Sequence, residues 1–236
     1  VSAWINLDDN SVTRGDNIDM FLNGEQYIFF QESSNDLLTW RVDANSRVEV
    51  TSDNILSENE WYHICGTYDG SIAKIYVNGD GKNSAQVTGT FPGTTDYSFG
   101  EGSASGRDFD GLVDDLRVYN RALTDSEVNA LYQLRNVHET SSRGFPVAAG
   151  NLVARYPFRD GSARDDARNA NYADPTAYDG VVTGATYHSN KGPNGNGAFV
   201  FDGDDKITVD PINNLPTNEF TVSMWHNKDS DSSAVC

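Results

Sequence analysis

The residues best equipped for chemistry in this chain are aspartates. Phe201-Asp202-Gly203-Asp204-Asp205 sets three carboxylates in a glycine-containing turn, and Phe109-Asp110-Gly111 and the adjacent pair Asp114-Asp115 add more. Hard cations are held by clustered carboxylate and carbonyl oxygens drawn from loops. Structural Ca2+ is therefore expected at Asp202, Asp204, Asp110, Asp114 and Asp115. A local use competes with this: aspartates at turns often accept hydrogen bonds from nearby backbone amides. Asp165-Asp166 is a weaker candidate for the same ion.

These carboxylates do not suggest hydrolysis. Glycan cleavage needs two carboxyl groups flanking one bond, one to protonate the leaving oxygen and one to attack or to activate water. Asp114 and Asp115 are adjacent, and neighbours in a strand point to opposite faces. His63, His138, His188 and His226 fall in separate segments, and no Ser-His-Asp or HExxH arrangement accompanies them. No enzyme is expected. Arg14-Gly15-Asp16 matches the integrin-recognition tripeptide, but a turn is the better reading of three such residues.

The elements that position these groups read as strands. Short runs rich in aromatic and β-branched residues lie at 28–30, 37–42, 62–68, 72–77 and 112–118, then at 152–158, 181–187, 198–201, 206–209 and 220–226. Gly, Asn, Asp and Ser clusters separate them, a pattern that predicts an all-β sandwich and not alternating βα units. Asp69-Gly70 is a hairpin signal, and Asn78-Gly79-Asp80-Gly81 ends the next run in the same way. One helix is predicted. Thr124-Asp-Ser-Glu127 is a capping box, and Val128, Leu131 and Tyr132 form an apolar face that carries the helix to about Leu134.

Composition sets the limits. With 17 basic and 35 acidic residues the net charge is −18, which repels phosphate and makes nucleic acid an unsuitable partner. Acidity with little Lys suits simple solubility, or a saline, cation-rich medium. No apolar run approaches the roughly 20 residues of a membrane span, so no membrane insertion is expected. Cys65 sits in an apolar stretch and reads as a buried small hydrophobe. A disulfide to Cys236 is open but unsupported. No Asn-x-Ser/Thr sequon occurs.

The chain also repeats itself. Val1, Ser2 and Trp4 match Val222, Ser223 and Trp225, an offset of 221 positions. The parts fall into a familiar order around that repeat. Trp61-Tyr-His-Ile-Cys-Gly-Thr-Tyr-Asp-Gly70, then Ile75-Tyr-Val-Asn-Gly79, then Phe109-Asp-Gly-Leu-Val-Asp-Asp-Leu-Arg-Val-Tyr-Asn-Arg-Ala-Leu123 with Ser126-Glu127 resembles the laminin G-like, concanavalin A-like jelly-roll family. Leu152-Val-Ala-Arg-Tyr-Pro-Phe158, Gly184-Ala-Thr186, Phe201-Asp-Gly-Asp-Asp205 and Phe220-Thr-Val-Ser-Met-Trp225 resemble the front of the same domain. The resemblance implies a two-sheet antiparallel jelly-roll sandwich, with one short helix closing its first part. Residues 1–135 would be the back part, 136–150 a linker and 151–236 a front part. The front part would complete the back part in the same or a neighbouring copy.

The resemblance further implies a calcium where front and back strands meet, at the motifs named above. The carboxylate signature of the glycan-cutting relatives, of the type Glu-x-Asp-x-x-Glu, does not occur. By analogy of position with pentraxins, the loops at 31–36 and 100–108 would carry ligand. Trp40, Tyr27, Tyr97, Glu101 and Asp108 are then the binding candidates, with Trp4, Trp61 and Trp225 assigned to the core. The expected function is a non-enzymatic extracellular structural or adhesion module in a surface or filament protein, assembled by strand sharing or tandem repeats, with neighbouring copies of itself, and glycans, as partners; within one chain Val1–Trp4 and Val222–Trp225 would compete for one slot. The alternative is a secreted, calcium-dependent carbohydrate-binding module attached to a glycan-active enzyme.

Overall fold

The computed structural model describes residues 2–3, 18–19, 27–31, 37–44, 47–55, 60–89, 97–100, 109–134, 151–158, 160–165, 178–192, 197–202, 204–209 and 220–227. The first strands are β1 (Ser2–Ala3), β2 (Ile18–Asp19), β3 (Tyr27–Gln31), β4 (Leu37–Asp43), β5 (Arg47–Ile55), β6 (Tyr62–Tyr68), β7 (Ile72–Val77), β8 (Asp80–Gln86), β9 (Tyr97–Phe99) and β10 (Asp110–Tyr119). Helix α1 (Asp125–Gln133) follows, then β11 (Leu152–Tyr156), β12 (Val181–Thr183), β13 (Thr186–His188), β14 (Ala198–Asp202), β15 (Lys206–Val209) and β16 (Phe220–Asn227). The expected linker at 136–150 lies outside the described residues.

One large sheet runs β13-β14-β10-β16-β1-β6-β7-β8, with β11 also paired to β10. Strand β10 organises it. One edge of β10 is taken along its length by β16. The other edge is divided: Asp110–Val113 pairs with β14, and Leu116–Tyr119 with β11. Two smaller sheets, β2-β3-β4-β5 and β12-β15-β9, complete the architecture. It is an all-β sandwich with one short helix, antiparallel except where β1 meets β16.

Alternation along the strands gives the large sheet two apolar faces. Ile64, Ile75, Val77, Val113 and Val118 face the main core, where Leu38, Trp40 and Val42 from the four-stranded sheet meet them. Cys65, Tyr76 and Tyr119, each next in sequence to one of those, join Val128 and Leu131 of α1 on the opposite face. Each large apolar side chain buried this way contributes about 1.5–3 kcal/mol. Helix α1 begins at the expected cap: Glu127 N donates to Thr124 Oγ1 at 3.3 Å, and Thr124 N donates to Glu127 Oε2 at 2.9 Å. Arg121 braces the same carboxylate at 2.6 Å, and this pairing first of all holds the Glu127 acid down to about 2.

The turns follow their residues. Asn78 and Gly79 both take positive φ, 53° and 78°, as a tight two-residue hairpin requires. At the preceding turn Asp69 Oδ1 accepts from the backbone N–H of Ser71 and Ile72 at 2.9 and 2.7 Å. The run expected at 181–187 is two strands, because Gly184 at φ 84° breaks it. The run expected at 152–158 ends at Tyr156, and Phe158 beyond it sits at φ 48°.

Candidate functional site

The turn from β14 to β15 gathers the densest set of ligand atoms among the described residues. Asp202, Asp204 and Asp205 each place a carboxylate oxygen within 4.8 Å of the others. Asp110 is the Cα partner of Asp202 across the β10–β14 ladder, and its side chain is outside the described residues. Asp205 is buried whereas Asp202 and Asp204 are exposed. Asp205 Oδ2 accepts from the Asp202 N–H at 3.0 Å. Burial first, then the charges of Asp202 and Asp204, push the Asp205 acid up to about 6.

Two glycines make room for this turn. A Cβ on Gly184 would fall 1.8 Å from Asp205 Oδ1, so only glycine admits the carboxylate there. A Cβ on Gly100, at φ 88°, would fall 2.6 Å from the Phe201 ring and 2.8 Å from the Asp205 carbonyl oxygen. Phe109 N donates to Gly100 O at 2.8 Å. Glu101 and Asp108, expected as ligand contacts, lie outside the described residues. Three carboxylates converging on one turn, one of them buried, offer part of the oxygen shell that a hard divalent cation takes.

Asp114 and Asp115 are used differently. They sit at a register shift in β10, where Asp115 takes φ 49°. Asp114 Oδ1 accepts from the Asp115 N–H at 2.8 Å. Asp115 accepts from Arg117 Nε at 3.0 Å and from Arg155 Nε at 2.9 Å. Burial alone would raise the Asp115 acid, but the two guanidiniums hold it well below the usual carboxylate range. Its oxygens are thus occupied by the seam between β10 and β11. Asp165 serves the same seam, accepting from the Arg155 N–H at 3.0 Å. Asp166 is outside the described residues.

The aromatic candidates scatter. Trp40 has no exposed surface and packs in the main core. Tyr27 pairs with Val42 in the four-stranded sheet, while Tyr97 pairs with Val209 in the three-stranded one. Trp61 is only partly buried. Cys65 is a fully buried thiol. An open groove of about 600 Å³ beside α1 was not legible in the sequence. Thr67, Asp69, Lys74, Tyr76 and Asp125 line it, and Tyr76 Oη donates to Asp125 Oδ1 at 2.7 Å. No motif marks it, because its walls come from β6, β7 and the start of α1.

A laminin G-like family model, described as the concanavalin A-like lectin/glucanases superfamily, matches residues 1–129. No curated protein and no solved structure gives a significant match.

Proposed function

The chain belongs to the concanavalin A-like lectin/glucanase superfamily, and from that premise we propose that it is a non-enzymatic extracellular structural module that assembles with copies of itself. Membership makes it a carbohydrate-binding or adhesion-type module. Among the described residues no helix is long and apolar enough to cross a membrane. One observation carries the structural reading. Strand β16, from the far end of the chain, lies against β10 on one side and β6 on the other. Here strands of 152–227 join the sheet of residues 1–134 within one chain, and the same joint made between two chains would link copies. Calcium would bind at Asp202 and Asp204 with Asp205, beside Asp110, and would tie β14 and β15 to the start of β10.

Sedimentation velocity of the full chain without sugar tests this. Particles that grow with concentration beyond the 25.9 kDa of one chain are expected. A monomer throughout would contradict it. The second reading, a calcium-dependent carbohydrate-binding module, is favoured by the open groove beside α1, where Tyr76, Lys74 and Asp125 stand together. It requires saturable binding of a glycan by the monomer, measured by calorimetry, and loss of that binding in Asp125→Ala.

A further inference from the structure

Strands β1 and β16 claim the same edge of β6. Ile64 pairs with Val77 of β7 on one side, so a single edge remains to it. On that edge Ile64 is the partner of Ala3 and also of Met224. Ser2 and Ser223 are themselves Cα partners, and the two strands run parallel to each other and antiparallel to β6. The sequence repeat has the same offset: Ser2 corresponds to Ser223 and Ala3 to Met224, each 221 positions on. Two strands with matching residues therefore meet β6 in matching register.

From this we infer that the β6 edge facing β10 is one slot with two alternative occupants, and that the displaced strand of one chain seats in the same slot of a second copy. This rests on the structural-module reading above and names the strand that would carry the assembly. A single strand fits between two neighbours, hydrogen-bonded to each at a spacing of about 4.8 Å. A strand donated by a neighbour makes the same ladder as the chain's own, so exchange costs little beyond association itself. Linkage within the chain favours the internal strand at low concentration, and mass action favours the neighbour's strand at high concentration. The donated contact is head-to-tail, which builds chains of molecules where the rotation does not close.

The native thiol of Cys65 reports on the slot. Ser2 is its Cα partner, and the register that sets Met224 against Ile64 and Phe220 against Tyr68 sets Ser223 against it too. Ser2→Cys and Ser223→Cys, each in a Cys236→Ser background, are refolded with oxidised and reduced glutathione from equal mixtures of isotopically heavy and light chains. Peptide mass spectrometry then identifies the disulfides. Both variants linking to Cys65, with heavy–light pairs present, is the expected result. A Ser2→Cys variant that never links to Cys65, or links confined to single chains, overturns the inference. Concentration-dependent assembly without an interchain Cys65 link would remove this inference and leave the structural reading standing. A particle that stays monomeric removes that reading itself. Should the variants fail to fold, wild-type assemblies are challenged with a synthetic peptide of residues 220–227. Loss of the large species supports the shared slot, and an unchanged mass overturns it.

Discussion

Asp202 and Asp204 are exposed, and Asp205 is buried against Gly184. Bringing three carboxylates together is costly without a cation, so a bound ion should stabilise the fold. At a free calcium concentration about 100 times Kd the gain is about 2.7 kcal/mol, or several degrees in Tm. Asp202→Asn combined with Asp204→Asn should abolish that calcium-dependent rise in a thermal melt, and a rise of equal size in the variant would contradict the assignment. The turn itself was legible, because its carboxylates are contiguous in sequence. The glycines that admit it and the arginines that occupy Asp115 were not, since Arg155 lies 40 residues away and meets Asp115 only in the folded seam. His63 gives a second prediction. Burial foremost, then the charge of Arg117, lowers it from 6.5 to about 3, against the opposing pull of Asp115. The unfolded chain therefore takes up the proton first. His63 contributes full stability above pH 6.5, and that contribution is lost as pH falls toward 3, by up to about 1.4 kcal/mol per unit. Urea titrations across this window should show a slope that His63→Gln reduces, and identical slopes would contradict it.

At the scale of elements, α1 depends on its cap as much as on its packing. A helix of nine residues has little stability of its own. Thr124→Ala removes the capping box and should cost about 1 kcal/mol in chemical unfolding. Gly79→Ala should cost more, because the added Cβ meets Tyr132 Cβ at 2.8 Å in a backbone held at φ 78°. A neutral result for that change would mean the hairpin is not pinned under α1. These elements were readable because their signals are local: a capping box, an Asn-Gly pair, an apolar run. Four strands were missed. β2 is only two residues long, too short for any period to show. β8 reads Asp-Gly-Lys-Asn-Ser-Ala-Gln, a polar edge paired only with β7 among the described residues, and it carries no apolar pattern. β9 is three residues long, too short for periodicity to register. β5 buries Val50 and Ser52 on one face while Arg47, Glu49 and Asp53 are exposed, so its alternation mixes polar and apolar residues on the inner side.

For the whole molecule, the repeat of Val-Ser-x-Trp was the most informative signal: it marks two strands for one slot, and the coordinates add where that slot lies. The sequence shows two equivalent strands; only the register shows that both are directed to Ile64. The charge of −18 sets how copies approach one another. Like-charged molecules repel, and that repulsion is screened over about 8 Å at physiological salt and neutralised where cations bind. Assembly should therefore strengthen with salt and with calcium. The most direct measurement is the native mass of the full chain by light scattering, in calcium and after chelation. A particle well above 25.9 kDa in calcium that falls toward that mass on chelation is expected. A 25.9 kDa particle under both conditions would contradict it.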